Sequence, residues 1–553
     1  MPPRAWALVA AGLAALVQAG VFGAAGASLS AADDTPRPAT VRVAEGVLRG
    51  GEKDGIFSFK GIPFARPPVG GLRWRPPRPP EPWQGVRDAV AFGPACPQDA
   101  SWRTEPGSPM AVYNEVMLPS DIGPTSEDCL QLNVWTSSLD EDAGLPVMVW
   151  IHGGGHYSQT SHIPMYDGSN LARKGVVLVS IKYRLGRLGF FAHPALIEEA
   201  ARRGEPTGNF GIMDQIAALE WVKANIAAFG GNPNRVTIFG ESGGGRSVNW
   251  LMTSLLSAGL FEGAISQSGR ALQPLRHITE ERMGLEPMSK IDERVMARLG
   301  VEPTVEAMRG IPVEELVGDF RGLLRDGFGP FIDGTVIPDD PGLVFAAGRQ
   351  HDVPFIIGSN SFEANISAAR SSAAELLGSV RVALGASFKE ADELYGFSRD
   401  PDPGPVIDFI QDNVHLNSSR FLARGMSTVE ASGWLYNFDY VPAWKRQAQP
   451  RGALHGDELI YVFDNIGRSR RADQYDEQDR RIAEIMSGYW VSFATTGDPN
   501  AAHLPRWPPH DATGDTMLHV GREVQAVAGF RRPYVDLNER LYRRAMGLPP
   551  MPE

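Results

Sequence analysis

The 553-residue chain is 43% hydrophobic and 21% charged, with no long polar or repetitive tract, which fits a folded globular protein and excludes disordered and fibrous classes. Its formal net charge of −12 opposes contact with a phosphate backbone, which depends on clustered Lys and Arg, so no nucleic-acid partner is expected. The densest basic cluster, Arg468, Arg470 and Arg471, sits among Asp473, Asp476 and Glu477 and reads as solvated surface.

At the N-terminus, Arg4 is followed by an apolar run from Ala5 to about Ala25 and by Ala25-Gly26-Ala27, the layout of a secretory signal peptide with an A-x-A cleavage site. Gln18 and several glycines dilute the run, which argues against a retained membrane anchor. Residues 1–27 are therefore expected to be removed, leaving a secreted or periplasmic protein with no stable membrane insertion. The only cysteines, Cys96 and Cys129, lack the C-x-x-C spacing of a metal site, and in an exported chain they favour one disulfide.

From Val41 to Val134 the chain is rich in Pro and Gly, with short β-like runs at Ile56–Lys60 and Leu130–Trp135, so it opens on strands and loops. Leu145–Ile151 and Gly175–Ile181 are near-continuous apolar runs, the pattern of strands buried on both faces of a parallel sheet, and Val236–Phe239 is a third. Between the last two, Ile216, Leu219, Val222, Ile226 and Phe229 recur at steps of three or four, which predicts a helix over Met213–Phe229 with one apolar face. Gly230-Gly231-Asn232-Pro233 then reads as a helix stop and a turn. Alternation of this kind implies an α/β fold. Leu272–Asp340 and Ala368–Val414 read as helical stretches broken by Gly and Pro, suited to cap insertions. Val353–Gly358, Trp434–Tyr440 and Thr516–Val520 read as later strands, and Arg480–Thr496 as an amphipathic helix before the Gly497-Asp498-Pro499 turn. Length alone leaves the domain count open, but with no internal repeat and no long linker, residues 28–553 are expected to form one domain.

The strongest chemical signal is Gly240-Glu241-Ser242-Gly243-Gly244, a G-x-S-x-G sequence between the strand Val236–Phe239 and a helix predicted over Gly245–Leu255. A sharp strand-to-helix turn lifts the Ser hydroxyl out of the sheet, and side chains two residues to either side would collide there. After the strand Leu145–Ile151 comes His152-Gly153-Gly154-Gly155, whose glycines let backbone N–H groups approach an oxyanion. Gly154, Gly155 and Gly243 are the expected donors, with His152 orienting the loop. A hydroxyl nucleophile needs a base. Among the late histidines His455, His503, His510 and His519, His455 stands out because its loop, Gly452 to Glu458, can reach the end of the sheet. Asp333, Glu363, Asp408 and Asp457 are candidates for the acid, and Glu363 is preferred because it follows the strand Val353–Gly358 by a short loop.

These motifs, together with Phe59–Ala65, Pro67–Gly70, Leu72-Arg73-Trp74, Ser126–Asn133, Gly208–Gln215 and Phe229–Pro233, run in the order of the type-B carboxylesterase and cholinesterase-like family, which the chain resembles from Val41 to near Trp507. The resemblance implies an α/β-hydrolase fold with a large, mostly parallel mixed sheet, a deep gorge, and no metal or organic cofactor. It implies Ser242, Glu363 and His455 as the triad, Gly154, Gly155 and Gly243 as the oxyanion hole, Cys96 with Cys129 as a disulfide, and a small-molecule ester as the partner in reaction; it leaves oligomeric state unknown.

The chain departs from the family at several places. Gly243 stands where Ala is usual, His156 where Phe commonly follows the glycines, and Phe362-Glu363-Ala364 where Asp-Glu-Gly is usual. Met117-Leu118-Pro119-Ser120 occupies the choline-binding position without a Trp, so a cholinesterase is not expected. His156, Arg246 and Arg270 are candidate substrate-binding residues. The two arginines would suit esters of polycarboxylic acids, such as the fumonisin toxins that some bacterial members of the family cleave. The alternative from another class is a non-catalytic adhesion or binding protein on the same fold, against which the intact Ser242, Glu363 and His455 argue.

Overall fold

The structure is a computed structural model that describes residues 36–99, 122–318, 322, 327–364, 372–399, 403–511 and 513–551. The segment read as a signal peptide and the Met117–Ser120 position lie outside the described residues. Thirteen strands among the described residues join in a single mixed sheet. They are β1 (Arg37–Val43), β2 (Gly46–Lys53), β3 (Ile56–Pro63), β4 (Val86–Asp88), β5 (Gln131–Thr136), β6 (Leu145–Ile151), β7 (Val177–Ile181), β8 (Gly231–Glu241), β9 (Gly263–Gln267), β10 (Phe355–Asn360), β11 (Gly433–Phe438), β12 (Thr516–Val520) and β13 (Val524–Ala528). The spatial order is β1-β2-β3-β5-β7-β6-β8-β9-β10-β11-β12-β13, with β4 beside β2. The run from β7 to β12 is parallel throughout, and the antiparallel pairs lie at the two ends.

The central strands are buried on both faces, which is why their sequences are apolar at nearly every position. One cluster on Val147, Val149 and Ile238 and a second on Met148, Trp150 and Phe239 cover opposite faces of β6 and β8. Parallel register then sets the working edge. Ile151 pairs with Gly240, Glu241 with Gln267, Gln267 with Gly358, and Asn360 with Phe438, so β6, β8, β9, β10 and β11 end side by side. In such a sheet the crevice beyond the C-terminal strand ends is where ligands bind.

The helix predicted over Met213–Phe229 is observed as α1 (Phe210–Asn225), followed by a tighter turn at Ile226–Phe229. It does not have a single apolar face: twelve of its sixteen residues are buried, including Asp214 and Gln215, because it is packed on several sides. Gly230, at φ 73°, does stop it, but Gly231-Asn232-Pro233 belongs to the start of β8 and not to a turn. The predicted Gly245–Leu255 helix starts at the elbow itself, as α2 (Gly243–Leu251). The segments expected as cap insertions contain Met288–Arg298, Val305–Arg309 and Val313–Val317, then Ala373–Leu384, Phe388–Tyr395 and α3 (Gly404–Gln411). A π-helical turn at Asp412–Leu416 leads from α3 into α4 (Asn417–Gly425). Helix α5 (Glu477–Thr496) begins three residues before its predicted start because Asp476 and Asp479 form a capping box. The pattern did not mark β13 or a final helix, α6 (Arg532–Met546). Cys96 and Cys129, 33 positions apart, are joined by a disulfide. No helix among the described residues is long and apolar enough to cross a membrane.

One buried ion pair ties the sheet to α1. Arg184, just beyond β7, donates from Nε and a terminal nitrogen to the two carboxylate oxygens of Asp214 at 2.8 and 2.7 Å, and its backbone N–H adds a third bond at 2.9 Å. Both side chains are almost wholly buried, so removing the carboxylate strands a guanidinium away from water. Asp214→Ala should destabilise the fold by about 3–5 kcal/mol, read as a lower urea midpoint; an unchanged midpoint would contradict this.

Candidate active site

Ser242 sits between β8 and α2 at φ 57° and ψ −114°, a conformation that costs a non-glycine residue about 1–3 kcal/mol and persists only where the surroundings enforce it. The enforcement is local and visible. Ser242 N–H donates to Gln267 O at 2.9 Å, and Arg246 N–H donates to Ser242 O at 2.9 Å. A Cβ at Gly244 would lie 2.0 Å from Ile151 O, and one at Gly240 2.6 Å from the Gly244 carbonyl carbon, so the turn closes only with glycine there. Standing at the head of α2, Ser242 leaves the N–H of Gly243 without an intrahelical partner.

The glycine loop after β6 lies against this turn. Gly154 and Gly155 have φ of 90° and 62°, a region that side-chain-bearing residues rarely occupy. A Cβ on Gly243 would be 2.9 Å from Gly155 N, which shows how closely the two backbones meet. His152 stacks on Tyr183 with centroids 4.5 Å apart, and Tyr183 OH donates to His152 O at 2.8 Å, fixing the root of the loop. His156, read from the sequence as a candidate substrate contact, is fully buried. Its Nε2 is 3.0 Å from Ser247 Oγ and its ring packs among Tyr183, Phe190 and Trp250, so it props the loop from beneath.

Glu363 and His455 meet because their loops are stitched together. Ser361 N–H donates to Phe438 O, Phe362 N–H donates to Ala453 O, and Ala453 N–H donates to Ser361 Oγ, each at 2.9 Å. His455 Nδ1–H then donates to Glu363 Oε2 at 2.5 Å. The other oxygen of Glu363 accepts from Ser268 Oγ at 2.5 Å and from Asn360 N–H at 2.6 Å. Burial works against the charge on Glu363, but His415, His455 and Ser268 outweigh it and hold the carboxyl down at about 2. The other acids weighed from the sequence are engaged elsewhere. Asp333 caps the Thr335–Ile337 turn, Asp408 pairs with Arg451, and Asp457 pairs with Lys445.

His455 Nε2 faces Glu241 Oε1 at 3.1 Å, and among the described residues it makes no hydrogen bond to Ser242 Oγ. Nδ1–H is committed to Glu363 and Glu241 Oε1 makes no hydrogen bond, so a proton on either Nε2 or the Glu241 carboxyl would relieve the repulsion of two facing acceptors. The electrostatics agree. Burial pushes Glu241 up, with Glu458 and Glu363 adding to it, while Glu241 and Glu363 overcome burial to raise His455 to about 9. Glu458, three residues after His455, accepts from Asn360 Nδ2 at 2.6 Å and Gln267 Nε2 at 3.0 Å, and burial pushes it up to about 7. Glu241, Ser268, Glu458 and His415 were not marked by the sequence. Glu241 fills the variable position of G-x-S-x-G, and the rest carry no spacing signal.

Arg246, in the first turns of α2, lies over Trp250 at 5.1 Å, and its Nε is buried with no hydrogen-bond acceptor. Among the described residues no carboxylate pairs with it. Burial, with Arg270 nearby, pushes its guanidinium down to about 10. Arg270 follows β9 and lies close enough to disfavour the charged forms of Arg246, His415 and His455. No group of three or more His, Cys, Asp or Glu among the described residues is arranged to hold a metal ion.

The chain matches the carboxylesterase family over residues 37–393 and 404–537. It is 37% identical over 535 residues to the fumonisin B1 esterase of Sphingopyxis macrogoltabida, covering 94% of this chain and 93% of that one. It is 36% identical over 497 residues to human cocaine esterase, covering 83% of each. Among solved structures, the carboxylesterase Est55 of Geobacillus stearothermophilus superimposes with a TM-score of 0.75 at 32% identity, over 90% of this chain and 99% of that one.

The raised pKa of His455 beside Glu241 makes a definite pH signature. In the role of base expected from the sequence His455 must be neutral to act, so activity should rise as pH rises through its elevated pKa. Glu241→Gln removes one of the two carboxylates that favour imidazolium and should move the acid limb of kcat/KM to lower pH; a limb that stays put or moves up would contradict this assignment.

Proposed function

This chain belongs to the carboxylesterase family, and from that premise we propose that it is an exported serine esterase that cleaves carboxylic esters through Ser242, His455 and Glu363 by way of an acyl-enzyme. The observation that carries this reading is the bond from His455 Nδ1–H to the buried Glu363 carboxylate, made beside a strained elbow serine. In the proposed cycle, Ser242 Oγ bonds to the ester carbonyl carbon while its proton passes to His455 Nε2. Negative charge moves to the carbonyl oxygen, where the N–H groups of Gly154, Gly155 and Gly243 stabilise it; one such donor is typically worth about 3–4 kcal/mol. The C–O bond to the alcohol breaks as the imidazolium protonates the leaving oxygen. Water then repeats the sequence on the acyl-enzyme, releasing the acid and restoring Ser242. Glu363 holds the imidazole tautomer throughout. Before the first step Nε2 must give up its contact with Glu241 for one with Ser242, a shift between neighbouring residues of the same turn. The disulfide and the leader-like first 27 residues support export to an oxidising compartment.

A narrower substrate class rests on Arg246. A buried guanidinium nitrogen lacking an acceptor is costly, and a substrate carboxylate would supply the partner in the bidentate geometry that Arg favours. Arg270 adds positive potential at the same place. The substrates we propose are therefore esters that carry further carboxylates, of the fumonisin type named in the Sphingopyxis relative.

Ser242→Ala should fold normally and lose ester turnover by roughly a thousand-fold or more; near-parental turnover would reject the mechanism, and a parent chain inert to every ester would favour a binding protein instead. Arg246→Ala and Arg270→Ala should lower kcat/KM for a carboxylated ester by roughly ten- to a hundred-fold while sparing its neutral counterpart. Equal losses on both esters would contradict the carboxylate subsite.

A further inference from the structure

His415 is buried, and its Nδ1 lies 3.3 Å from Glu363 Oε2, the same oxygen that His455 Nδ1–H engages at 2.5 Å. The two rings stand with centroids 6.4 Å apart and planes at 62°, so two imidazoles converge on one carboxylate oxygen from different elements. His415 Nδ1 makes no hydrogen bond in this structure and its nearest acceptor is Glu363 Oε2 at 3.3 Å, where an unprotonated nitrogen would set a lone pair against a carboxylate. The tautomer that avoids this repulsion carries its hydrogen on Nδ1. Burial, with the positive neighbours Arg270 and His455, keeps the ring neutral by lowering its pKa to about 3 against the pull of Glu363.

The backbone around His415 is shaped for this approach. His415 occupies the π-helical turn Asp412–Leu416, a local widening that is frequent at functional sites. The residue before that turn, Gln411, already grips the acid's loop: its Oε1 accepts from Glu363 N–H at 2.7 Å and Ala364 N–H at 3.1 Å, and its Nε2 donates to Asn360 O at 2.8 Å. Just past it, Ser418 Oγ accepts from Ala271 N–H at 2.7 Å and Leu272 N–H at 3.2 Å, holding the segment that follows Arg270.

We propose that His415 is a second imidazole donor to Glu363, a positioning residue that keeps the acid ionised and aimed at His455. The inference rests on the triad reading above. An N–H at this distance from Oε2, once turned onto it, spreads the carboxylate's negative charge and so weakens its hold on a proton at His455. Without that donor the carboxylate is more basic toward His455, and the imidazolium is favoured to higher pH. The charged or titratable groups facing this pair are Glu241, Glu458, Tyr436 and Arg270, none of which the substitutions below alter.

The test compares His415→Phe, which keeps the ring and removes the donor, with His415→Asn, whose Nδ2 falls near the position of the lost Nδ1. Rates are normalised to the serine titrated by a fluorophosphonate. In His415→Phe, kcat for a neutral p-nitrophenyl ester should fall roughly ten- to a hundred-fold with little change in KM, and the acid limb should move to higher pH. In His415→Asn both should return toward the parent. Should the Phe variant fail to accumulate, His415→Met provides the donorless comparison. A parental kcat and limb in the donorless variant, or equal losses in the donorless and Asn variants, would overturn the proposal. The triad reading would stand in either case as long as Ser242→Ala is inactive.

Discussion

The structure of this site depends on one buried carboxylate. Glu363 has no exposure to water, yet its two oxygens meet the hydroxyl of Ser268, the backbone N–H of Asn360, the Nδ1–H of His455 and the nearby Nδ1 of His415. An unpaired ion in that position would cost several kcal/mol or take up a proton. Because its partners come from the ends of β9 and β10, from the loop after β11 and from the π-turn before α4, satisfying the charge draws four parts of the chain together. The imidazole orientation is thus a by-product of solvating Glu363 from within the protein.

The sheet makes this possible. Parallel register across β6, β8, β9, β10 and β11 ends all five strands at one edge, and each contributes a different chemical part there. The glycine loop follows β6, the elbow follows β8, Ser268 and Arg270 follow β9, Glu363 follows β10, and the His455 loop returns after β11 by pairing with the β10 loop at Phe362 and Leu454. Close packing of backbones is a second requirement. Gly244 against Ile151 and Gly243 against Gly155 bring two segments from separate strands nearer than any side chain allows, which sets the N–H groups of the glycine loop beside the elbow serine.

Much of this was legible in the sequence because it depends on local patterns. Continuous apolar runs marked β6 and β7, and G-x-S-x-G between a strand and a helix marked the elbow. Loop context singled out His455 and a place after a strand singled out Glu363, and the fold brings these two side chains into contact. What escaped detection depends on tertiary contacts. Glu241 and Glu458 are ordinary acidic letters until the fold buries them beside His455, and His415 sits in a helix whose π-turn has no sequence signature. His156 was a candidate substrate contact by its position after three glycines, a position that says nothing about the aromatic cage of Tyr183, Phe190 and Trp250 that encloses it. Helix α6 went unmarked because its buried Val535, Leu537 and Leu541 are interspersed with Asp536, Asn538, Glu539 and Arg540, and Arg543 is paired with Glu539 on the helix itself.

The most direct test of the proposed relay is a crystal structure of the protein after reaction with a p-nitrophenyl phosphonate, which mimics the tetrahedral intermediate. Phosphorus should be bonded to Ser242 Oγ, with the phosphoryl oxygen within hydrogen-bond reach of the N–H groups of Gly154, Gly155 and Gly243. His455 Nε2 should leave Glu241 for the ester oxygens while Nδ1–H stays on Glu363. An adduct on another residue, or an imidazole still held by Glu241 with the phosphoryl oxygen outside the glycine loop, would contradict that relay.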